Sequence, residues 1–256
     1  MRLDFGLNAH DLSGAALRTG EKRQDAMPML RLRMAQPLGA GWRLRVDYRQ
    51  AAGFGPARAG RYSAARQAGI GLHRQDRKDW FALSAGVLET RQNAGRWALS
   101  RRSFLALDRS TALADNRTRI GARLLYLRLK GGNQGRGYAS ISEAPILHLW
   151  ARSSVSDRAQ VTLSLAQAQG KMSFGGAAPA PIQISMAEIA YERQISNTNA
   201  ALVLALQRSL YQPQGQAFMA ANSLYLGLRL DFGATGGFAP DTPLLSWVGH
   251  SGGPLH

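Results

Sequence analysis

From Trp42 to Arg49 the side chains alternate without exception: Trp42, Leu44, Val46 and Tyr48 are apolar, and Arg43, Arg45, Asp47 and Arg49 are charged. Successive side chains of a strand point to opposite faces, so this order gives one apolar face and one charged face to a strand. No other feature constrains the fold as strongly, because the pattern recurs along the chain. Leu3, Phe5, Leu7 and Ala9 alternate with Arg2, Asp4, Gly6 and Asn8, and Leu30, Leu32 and Met34 alternate with Arg31 and Arg33. Phe81, Leu83, Ala85 and Val87 share a face, as do Val161, Leu163 and Leu165, while Leu224 to Phe232 alternates with Tyr225, Gly227, Arg229 and Asp231. About twelve such segments begin near residues 2, 27, 42, 67, 80, 97, 119, 139, 160, 182, 200 and 223.

Two segments fit the pattern poorly. Arg119 to Lys130 has apolar residues on both faces, and Trp97 to Asp108 loses phase at Arg101-Arg102, which leaves a helical reading of the middle third open. Many alternating strands build either a soluble sandwich or barrel with its apolar face inward, or a transmembrane barrel with that face toward lipid. The spacing of the segments favours the second. Long connections (Asp11 to Asp25, Ala51 to Arg66, Gln169 to Ala180, Tyr211 to Asn222) alternate with short ones (Pro37 to Gly41, Arg74 to Asp79, Arg152 to Ala159, Arg193 to Asn199). Long outer loops and short periplasmic turns produce this order; the middle connections do not follow it clearly. Trp42, Tyr48, Trp80, Trp97, Tyr126, Trp150 and Tyr225 fall near segment ends, where aromatic girdles would stand.

The final segment, YLGLRLDF from Tyr225 to Phe232, resembles the C-terminal assembly signal of bacterial outer-membrane β-barrels. Tyr225 takes the polar position, Gly227 the glycine, and Leu230 and Phe232 the last two apolar positions. The resemblance implies an all-β fold, a transmembrane antiparallel up-and-down β-barrel of about 12 strands, located in the bacterial outer membrane. It also implies the barrel-assembly machinery, outer-membrane lipid and lipopolysaccharide as partners. The signal normally ends a chain, and here 24 residues follow it. The barrel is therefore expected over residues 1–232, with residues 233–256 a flexible Gly- and Pro-rich tail.

Charge narrows the function. Lysine and arginine total 32 against 16 acidic residues, a formal net charge of +16, and only Lys22, Lys78, Lys130 and Lys171 are lysines. The arginines follow the strand alternation and form no separate patch, which argues against nucleic-acid binding. On the polar faces Arg31, Arg33, Arg43, Arg45, Arg49, Arg123, Arg152 and Arg229 are the candidates for the lumen wall. Asp4, Asp47, Glu188 and Asp231 are too few to neutralise them all, so a positive lumen is expected, favouring anions.

Other classes fail on chemistry. The absence of cysteine excludes disulfides, thiolate metal sites and cysteine nucleophiles. No run approaches the roughly 18 apolar residues of a transmembrane helix. The N-terminal MRLDFGLNAHDLSG has no apolar stretch of the signal-peptide kind, so an exported form would be a mature chain, a fragment or a domain. The terminal GHSGGPLH resembles the nucleophile motif of trypsin-like proteases, but His250 stands where that motif has aspartate and little chain follows Ser251. No His-x-Ser or Ser-x-His pair lies within a segment, as a membrane-embedded lipase would need. His10 and Asp11 are adjacent and point to opposite strand faces, so no metal site is expected, nor any cofactor.

The expectation is thus a non-enzymatic channel or export pore with an Arg-rich lumen, for small anions or an acidic polymer such as an exopolysaccharide. The alternatives are the translocator domain of an autotransporter-like protein, or a structural or receptor barrel plugged by its own side chains. The direction of the arginine face, into an enclosed lumen or out to solvent, separates membrane from soluble architecture.

Overall fold

The computed structural model describes residues 2–14, 23–52, 63–76, 78–92, 100–114, 117–129, 140–141, 143–173, 180–196, 198–214 and 219–232. The tail from 233, GHSGGPLH within it, and Trp97 lie outside the described residues. The strands are β1 (Arg2–Gly14), β2 (Arg23–Gly39), β3 (Trp42–Ala52), β4 (Ser63–Gln75), β5 (Asp79–Gln92), β6 (Ser100–Ala112) and β7 (Thr118–Leu129). They continue as β8 (Ser140–Ile141), β9 (Glu143–Ser156), β10 (Ala159–Ser173), β11 (Ala180–Gln194), β12 (Ala200–Pro213) and β13 (Met219–Asp231). The middle third is strand, not helix: β6 runs through Arg101 and Arg102, paired with Glu89 and Leu88.

Every long strand pairs antiparallel with two neighbours. Sequential pairing carries the sheet from β1 round to β13, where Asp231 returns to lie opposite Arg2. The result is a closed ring of twelve long strands, with the two-residue β8 pairing with β10 beyond the end of the β9 ladder. Closure leaves no unpaired edge, the condition a sheet must meet to cross lipid.

One end of the ring carries tight turns, at Ala40–Gly41 and at residues 76–78, 113–117, 157–158 and 195–199. Gly39, Ala40 and Gly41 all have positive φ (97°, 50° and 77°), the left-handed conformation that short hairpins demand and glycine adopts without strain. At the other end the strands are separated by longer stretches of sequence, such as the eight residues between Gly14 and Arg23 and the ten between Ala52 and Ser63. The alternation thus runs through the middle of the chain as well. Tyr211 to Asn222 is shorter than expected as a connection, because Tyr211 already pairs with Met219.

Alternation sorts side chains to the two surfaces. Leu105, Leu107, Leu124, Leu147, Leu149, Leu163, Leu165, Leu202, Leu204, Leu206, Leu224 and Leu226 all stand exposed on the outside. The apolar band is interrupted toward the end away from the tight turns: on β12, exposed Arg208 stands between Leu206 and Leu210, and on β13, exposed Asn222 lies beyond Leu224. Eight or so residues tilted by about 40° span roughly 20 Å, close to the ~25 Å apolar belt of outer-membrane barrels. Trp42, Phe81, Tyr191 and Phe232 lie toward the tight-turn end, with Tyr48 and Tyr126 toward the other. Trp80, Trp150 and Tyr225, expected in such girdles, are instead buried inside the ring. Each sits on the inward parity of its strand, and parity, not chemical type, decides the face.

Inside, aromatic rings lie over glycines. A Cβ on Gly121 would stand 2.4 Å from the Trp150 ring, and one on Gly86 would stand 2.1 Å from the Ala68 carbonyl oxygen and 2.6 Å from Phe104. Both glycines are therefore fixed by close approach. Leu125 and Leu127 point inward while Leu124 and Tyr126 point outward, which is why β7 shows no alternation in sequence.

Candidate functional site: the barrel interior

The alternation that turns leucines toward lipid turns the arginines inward. Arg33, Arg49 and Arg229 are buried, and Arg31, Arg45, Arg123 and Arg152 are half-buried. Arg43 shares their strand parity but stands exposed, two residues from the tight-turn end of β3.

Five of the eight lie together. β2 sits next to β3 with Arg33 opposite Asp47 and Arg31 opposite Arg49. Around the Asp47 carboxylate, Arg31 donates from Nε (3.0 Å) and Nη2 (2.7 Å), Arg45 from Nη2 (2.7 Å) and Arg33 from Nε (3.2 Å). Three guanidinium groups thus share one carboxylate. Arg49, the next inward residue of β3, is within electrostatic reach of Arg31, Asp47, Glu188 and Tyr225. Arg123 on β7 donates from Nε to Asp108 Oδ1 at 2.7 Å and from Nη2 to Oδ2 at 3.2 Å, a two-pronged pair with Asp108 only 2% exposed.

Arg152 and Arg229 lie on other strands, Arg229 on the register row of Arg31 with Asp4 between them. Arg152 donates to Thr162 Oγ1 at 3.2 Å and lies 5.5 Å from the centroid of the Trp150 ring. Arg229 pairs with Glu192, which also accepts a bond from Gln160 Nε2 at 3.1 Å. Asp108 and Glu192 were not among the expected acids. Asp108 lies in the segment whose alternation is interrupted at Arg101-Arg102, yet Phe104, Ala106, Asp108 and Ser110 are all buried on one face of β6.

The opposite wall carries two apolar rows. A register row runs Ala106–Leu125–Ile146–Ala168–Ile184 across β6, β7, β9, β10 and β11, and its neighbour runs Gly86–Phe104–Leu127–Ala144. Leu127 and Ile146 are essentially without solvent contact, as is His148. The interior is therefore narrow and largely packed, cationic on β2 and β3, with two apolar rows on β6 to β11 flanked by buried polar groups such as Asp108, His148, Thr162, Glu188 and Glu192. A cavity of about 70 Å³ remains where the two walls meet, along β2 to β7. Among the described residues no group of three or more His, Cys, Asp or Glu is placed to hold a metal ion.

Neither a protein-family model nor any curated protein matches the sequence. Solved structures do match in fold. The COG4313 outer-membrane channel from Pseudomonas putida F1 aligns at TM-score 0.63 and 11% identity, over 88% of this chain and 94% of that one. The Pseudomonas putida toluene transporter TodX aligns at TM-score 0.50 and 11% identity, over 89% and 88%. A TodX deltaS2 mutant, described as a monoaromatic hydrocarbon channel, aligns at 0.53 with the same coverage. With its closed ring and apolar exterior, the chain has the fold of bacterial outer-membrane β-barrels.

Proposed function

We propose that the protein is an outer-membrane channel whose narrow interior selects small anions, and that it catalyses no reaction. The observation that carries this reading is the convergence of Arg31, Arg33 and Arg45 on the single carboxylate of Asp47. In a confined, poorly screened interior such an excess of fixed positive charge repels cations and lowers the barrier to anions. The close packing of the interior argues against an extended acidic polymer, which needs a wide polar passage.

The close packing of Leu127, Ile146 and His148 also suits a barrel closed by its own side chains, the structural or receptor reading. Reconstitution into planar bilayers separates the two. The channel reading predicts discrete conductance steps and a reversal potential that favours chloride over potassium in a salt gradient. Neutralising Arg31 and Arg45 together should lower that preference several-fold. A silent bilayer, or preference for potassium, would overturn the proposal.

In the same reading Tyr225, Gly227, Leu230 and Phe232 form the segment that the barrel-assembly machinery recognises. On β13 Tyr225 and Gly227 face inward, while Leu230 and Phe232 lie on the outward face. Lipopolysaccharide and lipid then surround the leucine band.

A further inference from the structure

The outer surface carries an ordered arrangement of its own, on β3 to β6 near the tight turns. One register row, Leu44–Leu72–Leu83–Leu107, runs unbroken across these four strands on the outward face. The next outward row toward the tight turns reads Trp42–Arg74–Phe81–Arg109, aromatic and cation by turns. Each of its members stands two residues along its strand from the leucine above it. Arg74 and Arg109 are both exposed, with Phe81 between them, and lie two interstrand spacings apart, about 10 Å.

The acids at this edge leave the cations available. Arg74 lies 3.7 Å from Asp76 with both side chains at least half exposed, an ion pair of the kind that contributes little and exchanges readily. Asp79 is within electrostatic reach of Arg119. Among the described residues no carboxylate bonds to Arg109, and Lys78 adds an exposed cation where the chain turns from β4 to β5. On β11 the exposed Arg193 also faces outward beyond Tyr191, but its row neighbours are Ala159 and Leu202, so no second arginine stands near it on that row.

We propose that this edge binds one anionic glycerophospholipid, its phosphate between Arg74 and Arg109 and its acyl chains along the leucine row. Two guanidinium groups can each turn a fork of N–H donors to one phosphodiester, a geometry that an ammonium does not match. Phe81 and Trp42 place aromatic rings at the boundary of chain and headgroup, and the Trp42 indole N–H is a donor at the same depth. A net negative headgroup complements Arg74, Lys78 and Arg109 set against Asp76 and Asp79, whereas a zwitterionic one brings a positive charge to the same place. Short turns face the periplasm in outer-membrane barrels, so this edge meets the leaflet built of glycerophospholipid. The site lies outside the ring and stands whether or not the interior conducts.

Native mass spectrometry of the folded chain tests it, in detergent micelles holding equal amounts of phosphatidylglycerol, phosphatidylethanolamine and phosphatidylcholine with identical acyl chains. A basic residue near an anionic lipid contributes about fivefold in affinity, so phosphatidylglycerol should be retained at least about fivefold over either zwitterionic lipid. Arg74→Gln combined with Arg109→Gln should abolish that preference, and Arg193→Gln should leave it unchanged. Heat-modifiable migration on gels selects folded protein, and Arg109→Gln alone, which should at least halve the preference, serves if the double variant does not assemble. Equal retention of the three lipids overturns the proposal, as does a preference that the Arg74 and Arg109 variants leave intact. An equal loss in Arg193→Gln would mark diffuse surface charge, and complete displacement by inorganic phosphate at the lipid's own concentration would mark a simple anion site; either result also overturns it.

Discussion

In the Asp108–Arg123 pair the acid is enclosed at 2% exposure and the guanidinium keeps only 19%, so each charge leans on the other more than on water. Breaking such a pair typically costs about 3–5 kcal/mol, because the surviving charge stays buried without compensation. Asp108→Leu should therefore lower the thermal unfolding midpoint sharply. Asp108→Leu combined with Arg123→Met should recover most of that loss, since an apolar pair has no charge to desolvate. A double-mutant cycle in which the two losses simply add would show that they act independently. Gly121 makes a comparable demand through shape. Alanine there collides with the Trp150 ring, and overpacking of this kind costs about 1–3 kcal/mol. Gly121→Ala should destabilise the barrel by that amount, and Trp150→Leu in the same chain should relieve it; both are measurable from denaturant midpoints. From sequence, the arginines of this interior were readable because they repeat at period two beside leucines. Their partners were less so, because charge pairing depends on which strands become neighbours and on register, which a single strand's pattern does not encode.

At the scale of the strand, the outward band sets where a charge is tolerated. Leu204 sits in the middle of the unbroken leucine run of β12, whereas Arg208 already stands past its end, with only Leu210 beyond it. Arginine at the bilayer midplane of a barrel costs about 2–4 kcal/mol, falling to about 0–1 near the interface. Leu204→Arg should thus lower folding stability in lipid by the larger figure, and Arg208→Leu should change it by less than about 1 kcal/mol. Strand existence was legible throughout, but boundaries slipped. Strands β2, β4 and β13 begin about four residues before the alternation does, at Arg23, Ser63 and Met219. Beyond the apolar band both faces of a strand meet polar surroundings, so the ladder continues without a hydrophobic signature. On β7 the signature is lost for the opposite reason, because Leu125 and Leu127 pack inside while Leu124 and Tyr126 face outward. The parity of Trp80, Trp150 and Tyr225 was available in sequence, yet proximity to segment ends suggested a girdle.

At the scale of the whole molecule, closure depends on β13 meeting β1 along Arg2–Gly14. The assembly proposal is tested here. Phe232→Ala should reduce the yield of heat-modifiable barrel in the outer membrane several-fold, while a chain ending at Phe232 should assemble at close to the full level. Loss of assembly in the shortened chain would assign residues 233–256 a part in barrel formation.

Because the number of long strands is even, Arg2 and Asp231 end up side by side on the tight-turn rim, one interstrand spacing of about 4.8 Å apart. Polypeptide attached before the first strand and after the last therefore leaves the ring at a common point and on a common side of the bilayer. Two segments tethered there would experience a local concentration in the millimolar range, enough to make even a weak affinity between them count. The same adjacency makes the order of the strands in the gene interchangeable in principle. A short linker from Phe232 to Arg2, with new ends opened in one of the connections at the opposite rim, would give the identical ring read from a different starting strand.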